Sequence, residues 1–312
     1  MENSKMPKVY TALWSVIVAA YTVFMIVMRK VILFGYATEA ERTVKIGEAA
    51  ARSSTLKWFR ASDAVDDVYV IFDQITGLTN NLEYVIWAVI SILALVLYPI
   101  AIARILYGKE LNKGIKIISE VLLVAGFAYI TYYALIGDYT ILDKVKNITA
   151  SMLGLSFPIR FKIWGILTAF SIFINYLYAA RKLGFIEGRL SKAAVIIGSL
   201  GCAAIYVTIN VPSAGLDLIP DSARCLAHWS GALIFAFFEV AMLAFLLFHY
   251  MRKGDKRFRL TFIIFIATMA VMAVLLVAIG KSALIENLPV WVAYIILFLL
   301  NFTKVFDKKT AE

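Results

Sequence analysis

His228 and Glu239 are the side chains of this chain best suited to chemistry. From Leu190 the sequence runs LSKAAVIIGSLGCAAIYVTIN, then a short polar stretch, then AHWSGALIFAFFE. It reads as two apolar helices joined by a loop that ends at His228. Ser213, Asp217, Asp221, Ser222, Arg224 and Ser230 gather near that histidine in sequence. Such a set could supply a serine, a histidine and an aspartate for acyl transfer. Loops are rich in Ser and Asp for conformational reasons as well, and no Gly-x-Ser-x-Gly elbow is present. A membrane lipid hydrolase or transferase using His228 is thus an alternative, and a non-enzymatic protein the main expectation.

Glu239 lies in the middle of an apolar run, flanked by Phe237, Phe238 and Val240. A carboxyl at such a depth is costly and faces a cavity or a partner. One use is a proton or substrate site, as in a proton-coupled transporter. The other is a hydrogen bond to a polar group on a neighbouring helix, with Asn175 the natural candidate. Asn210, near the end of its own apolar run, is a further candidate functional residue. His228 and Glu239 are eleven residues apart, close to three helical turns. They share a face but differ in depth by about 16 Å. The only other histidine, His249, is 21 residues beyond His228, or about 31 Å along a helix. The two histidines therefore cannot share a metal or a haem. Cys202 falls in an apolar run and Cys225 in a loop, with no Cys-x-x-Cys pair. No metal site and no cofactor are expected, and glycine-rich phosphate loops are absent.

The elements that must hold these residues are membrane helices. Of 312 residues, 62% are hydrophobic, and mean hydropathy is +0.83; a soluble domain is nearer half apolar. A spanning helix needs about 20 apolar residues. Eight runs qualify: 10–28, 84–106, 117–136, 163–180, 193–211, 231–250, 260–279 and 290–305. The first follows a short basic start but is too long for a signal peptide and lacks a small-residue cleavage site, so it reads as an uncleaved anchor. Basic residues alternate between the connections: Lys109, Lys113 and Lys116, then Arg181 to Lys192, then Arg252 to Arg259, then Lys304, Lys308 and Lys309. The positive-inside rule makes that side cytoplasmic, together with both termini. Arg29, Lys30, Arg160 and Lys162 depart from the rule and are expected to snorkel to headgroups. The net charge of +10 is explained in this way, and no basic stripe with aromatic interleaving points to nucleic acid. The fold class is therefore an all-α integral membrane protein of about eight helices, in the plasma membrane or an internal one.

One connection is long. Residues 35–83 form an amphipathic helical pattern, with Val65, Val68, Phe72 and Ile75 on one face and Asp63, Asp66, Asp67 and Asp73 elsewhere. It reads as a helical cover over the bundle's outer mouth, or as a surface for a membrane-protein partner. Asn147-Ile-Thr149 is a glycosylation sequon.

Ser151-Met-Leu-Gly154-Leu-Ser-Phe-Pro158, the following helix and Arg181-Lys182 resemble the outer loop and next helix of the Frag1/DRAM/Sfk1 family. Leu190 to Asn210, with Gly198, Leu200 and Cys202, is similar to its following helix. Ala227-His228-Trp-Ser-Gly231-Ala232 with Phe235 is similar to its loop-to-helix junction. The resemblance implies a six-helix membrane bundle over roughly residues 115–306, both ends cytoplasmic. Residues 1–114 would then be an added N-terminal hairpin and 307–312 a short tail. It singles out Ser151, Gly154 and Pro158 as candidate functional residues. Met152 stands where the family often has an aspartate, and an acidic residue of the family's last helix has no match. Members are linked to lipid-anchor remodelling, lipid distribution and autophagy, so membrane lipids are the expected partners.

Overall fold

The computed structural model describes residues 5–27, 88–96, 113–140, 158–185, 189–211, 223–280 and 282–307, with 100, 102, 105, 111, 149–151 and 154 between them. The long connection 35–83, Asn147 and the loop residues Ser213, Asp217, Asp221 and Ser222 lie outside the described residues. Every regular element among the described residues is helical. The long helices are α1 (Lys5–Val27), α2 (Lys113–Thr140), α3 (Pro158–Lys182), α4 (Arg189–Asn210), α5 (Ala223–Arg252), α6 (Lys256–Ala278) and α7 (Ala283–Phe302). Six of them, α2 to α7, are long and apolar enough to cross a membrane, and α1 carries a shorter apolar stretch, Thr11–Val27. The expected second span falls only partly within the described residues, where 88–96 is helical.

Helices α2 to α7 close a ring in chain order, and α7 returns to pack on both α2 and α3. Helix α3 is the central element: Phe173, Tyr176, Leu177 and Asn175 are all fully buried. Tight connections come from local chemistry. Gly184 ends α3 and Gly254 ends α5, both at positive φ, where a Cβ would be strained. Asp255 caps α6, accepting from the Arg257 backbone N–H at 2.9 Å and from its guanidinium at 2.8 Å. The Arg257 guanidinium holds the Asp255 carboxyl below the usual carboxylate range.

The two ends of the bundle differ. At one end lie Arg181, Lys182, Arg252, Lys253 and Arg257. The long side chains of Arg181, Lys182 and Arg257 bond carbonyls of other elements, and Arg252 and Lys253 lie over Phe248 and Tyr250 of α5. Lys182 donates to Leu300 O at 3.1 Å and pairs with Asp307 at 3.0 Å; Arg257 donates to Val305 O at 2.7 Å. Helix α1 runs alongside α4, where Tyr21 meets Tyr206 edge-on and Asn210 donates to the Tyr21 hydroxyl at 2.8 Å. Asn210 thereby ties the first helix to the bundle.

Helices α4 and α5 pack most closely, through small residues. A Cβ on Gly231 would come within 2.8 Å of Ala204 O, and one on Gly198 within 2.5 Å of Met242 Sδ. Small residues let backbones approach where lipid provides no hydrophobic drive between helices. Helix α6 does the opposite. Its only buried side chains are Phe258 and Phe265, both in its first half. Beyond Phe265 its side chains are no more than half-buried, Met269 still packing against the core, and the site described next lies along that stretch.

Two helices begin earlier than expected. Helix α5 starts at Ala223, not Gly231, so His228 and Cys225 are helical residues, not loop residues. Helix α7 starts at Ala283 and runs through Pro289, although the apolar pattern begins only at Val290. Ser282 caps it by accepting from Ile285 N, and Glu286 sits in its first turn. A negative charge there suits the helix dipole. These caps extend the helix through residues that hydropathy reads as connection.

Candidate functional site

Where α5 and α6 separate, a cleft of about 320 Å³ opens. One wall is α5, with His228, Trp229, Leu233, Ala236 and Glu239. The facing wall is α6, with Phe265, Met269, Met272 and Leu276. These four follow a helical stripe, so they present one face. The back is closed by Glu286, Val290 and Ala293 of α7 and by Trp164 and Ile205 of α3 and α4. The cleft reaches from the end of the bundle opposite the basic one to Glu239, midway along the span Leu226–Arg252. Its edge is lateral: Leu233 lines it and is 63% exposed on the flank of the bundle. None of the described lining residues is Lys or Arg.

At the upper mouth, Thr149, Ala150 and Ser151 cross over the cleft. Ala150 N donates to Glu286 Oε2 at 2.9 Å, and Ala150 O accepts from Tyr133 Oη at 2.8 Å. Ser151 Oγ lies 3.1 Å from Thr149 Oγ1. Gly154 presses on Phe161, where a Cβ would stand 2.6 Å from the ring. Phe161 in turn stacks on Trp164, with centroids 5.5 Å apart. The Trp164 indole donates to Asn287 Oδ1 at 3.3 Å. Pro158 is the first residue of α3, a position where its missing N–H costs nothing. Ser151 therefore lines the cleft, Gly154 lies behind its lining residue Phe161, and Pro158 begins the helix that carries Phe161 and Trp164.

His228 is buried, with Nδ1 at 2.8 Å from Val211 O, the residue just past α4. Its backbone carbonyl accepts from Thr208 Oγ1 at 3.2 Å. The ring thus closes the junction between α4 and α5 and also lines the cleft.

Glu239 is the polar floor. It is 7% exposed. Oε1 accepts from Cys202 Sγ at 3.8 Å, a long and weak contact. Oε2 has no hydrogen-bond partner among the described residues. An unpaired buried polar atom costs about 1–3 kcal/mol. The expected partner, Asn175, is occupied elsewhere. Its amide donates to Ser119 O at 3.0 Å and Ser171 O at 2.9 Å, while its Oδ1 accepts from Asn301 at 3.1 Å. Asn175 binds α2, α3 and α7 together and takes no part in the cleft. Asn210 is likewise structural, through Tyr21 and Tyr206 O.

The cleft thus joins His228, Glu239 and Ser151, and leaves Asn175 and Asn210 out. It adds Glu286, Trp164, Met269 and Met272, none of which the sequence singled out. Helix α6 is apolar on all sides, so no periodicity marks its cleft-facing stripe. Glu286 is hidden because hydropathy starts its helix too late.

Six helices of spanning length, with apolar side chains over the flanks, define a multi-pass helical membrane protein carrying a lateral cleft. No family model, curated protein or solved structure matches the chain.

Proposed function

We propose that this protein binds a membrane lipid in the α5–α6 cleft and acts without catalysing a reaction. The observation that supports this reading is that Leu233 both lines the cleft and is exposed on the flank of the bundle, where acyl chains would lie in a bilayer. The walls are apolar, the polar groups are few, and the volume falls in the range of ligand pockets, roughly 300–1,000 Å³. The resemblance to the Frag1/DRAM/Sfk1 family agrees with this reading, since the six described spans run from Lys113 to Phe302. The positive-inside rule puts the end bearing Arg181, Lys182, Arg252 and Arg257 in the cytoplasm, so the cleft serves the outer half of the bilayer.

Lipid carried through purification and delipidation tests this. Wild type is expected to retain or rebind lipid when mixed with vesicles. Ala232→Trp and Met272→Trp, which fill the cleft from opposite walls, are expected to lose most of it. Equal lipid retention by all three proteins, each folded, would refute the proposal.

A further inference from the structure

The cleft is apolar along its length but ends on a polar atom, and that mismatch carries information about its occupant. Glu239 Oε2 is an acceptor, more than nine-tenths buried, lining the cleft and lacking a partner among the described residues. Glu286, the other carboxyl of the lining, already accepts from Ala150 N. With no Lys or Arg among the described lining residues and His228 about 16 Å away along the helix, no cation beside Glu239 would meet a phosphate or a carboxylate. A negatively charged head would instead face two carboxyls. Charge complementarity therefore selects a donor.

Resting on the lipid-cleft reading, we propose that the site takes a single-chain lipid whose head donates a hydrogen bond to Glu239 Oε2 and carries no negative charge. Two sources share that chemistry: a long-chain amine and a long-chain alcohol. The head sits at mid-bilayer depth on Glu239. The chain lies along Phe265, Met269, Met272 and Leu276 of α6, and leaves the bundle past Leu233. The depth separating Glu239 from His228, about 16 Å of helix, gives an extended chain room within the cleft. A phosphate seated at Glu239 would be desolvated there with no Lys or Arg of the described lining to meet it, which the cost of burying an unpaired charge disfavours.

The test uses the intact, delipidated protein and four ligands of one chain length: tetradecylamine, tetradecanol, tetradecanoate and tetradecyl phosphate. Binding is read by native mass spectrometry in a neutral detergent. Wild type is expected to bind the amine, the alcohol or both about tenfold more tightly than either acid. The variants separate the two sources. Glu239→Gln keeps an acceptor but no charge, so it loses an amine and spares an alcohol. Glu239→Met removes the acceptor and loses both preferences. If all four ligands bind alike and Ala232→Trp abolishes all of them, the cleft reading stands and the Glu239 anchor is wrong. A preference that survives in Glu239→Met also overturns the anchor. If no ligand binds wild type above the Ala232→Trp background, both readings fall.

Discussion

An unpaired carboxyl oxygen in the middle of a helix bundle is held there at the expense of stability. Glu239 Oε2 has no partner among the described residues, and the contact of Oε1 with Cys202 is long. Replacing the carboxyl with an apolar side chain of similar length removes the unsatisfied atom and keeps a side chain of that length against Gly201. Glu239→Met is therefore expected to stabilise the ligand-free protein by roughly 1 kcal/mol, seen as a raised melting temperature in detergent. A lowered one would mean that Glu239 is already satisfied. Residues kept against the interest of stability mark function more often than packing. Glu239 was legible from the sequence because a charge in an apolar run stands out. Its neighbours were not. Asn175 looked like its partner because both are polar and deep, yet depth along a helix says nothing about which face a side chain takes. Asn175 faces α2 and α7, where Ser119 O and Asn301 occupy it.

Elements explain why a cleft exists at all. Helices α4 and α5 are locked by glycines, whereas the buried side chains of α6, Phe258 and Phe265, both lie in its first half. Gly231 shows the first: a side chain there would meet Ala204 O and Thr208. Gly231→Leu is expected to cost about 1–3 kcal/mol through overpacking, measured as a loss of thermal stability. A neutral effect would contradict the close approach. The start of α6 rests on the turn at Asp255. Its carboxyl, lowered by the Arg257 guanidinium, caps α6. A group with a lowered folded-state value adds stability at neutral pH that disappears as pH falls through that value. Asp255→Ala should thus cost roughly 1 kcal/mol at neutral pH. The gap from wild type should shrink as pH drops below the ordinary carboxylate value of about 3.9. A gap that stays constant to low pH would remove the charge from the account. The apolar runs made the existence of these helices plain. Their starts were hidden, because Ser282 and Glu286 extend α7 by capping, which hydropathy does not register.

At the scale of the whole molecule, the ring of helices is fastened at its basic end and open at the other. Lys182 and Arg257 bond the carbonyls that follow α7 and near its end, and Asp307 closes the pair with Lys182. The opposite end carries the mouth formed by Thr149 to Ser151 and Glu286. Composition alone points to a bilayer, but not to a cleft between α5 and α6. That depends on α6 burying only two side chains, a property of packing that its uniformly apolar sequence conceals. The central claim is that lipid enters between α5 and α6. Photocrosslinking in vesicles with a single-chain amphiphile bearing a mid-chain diazirine tests it most directly, with adducts mapped by mass spectrometry. The account predicts adducts concentrated on Trp229, Met269, Met272 and Val290, and lost in Ala232→Trp. Adducts confined to the outward residues Val271, Val274 and Val277 of α6, unchanged by that substitution, would contradict it.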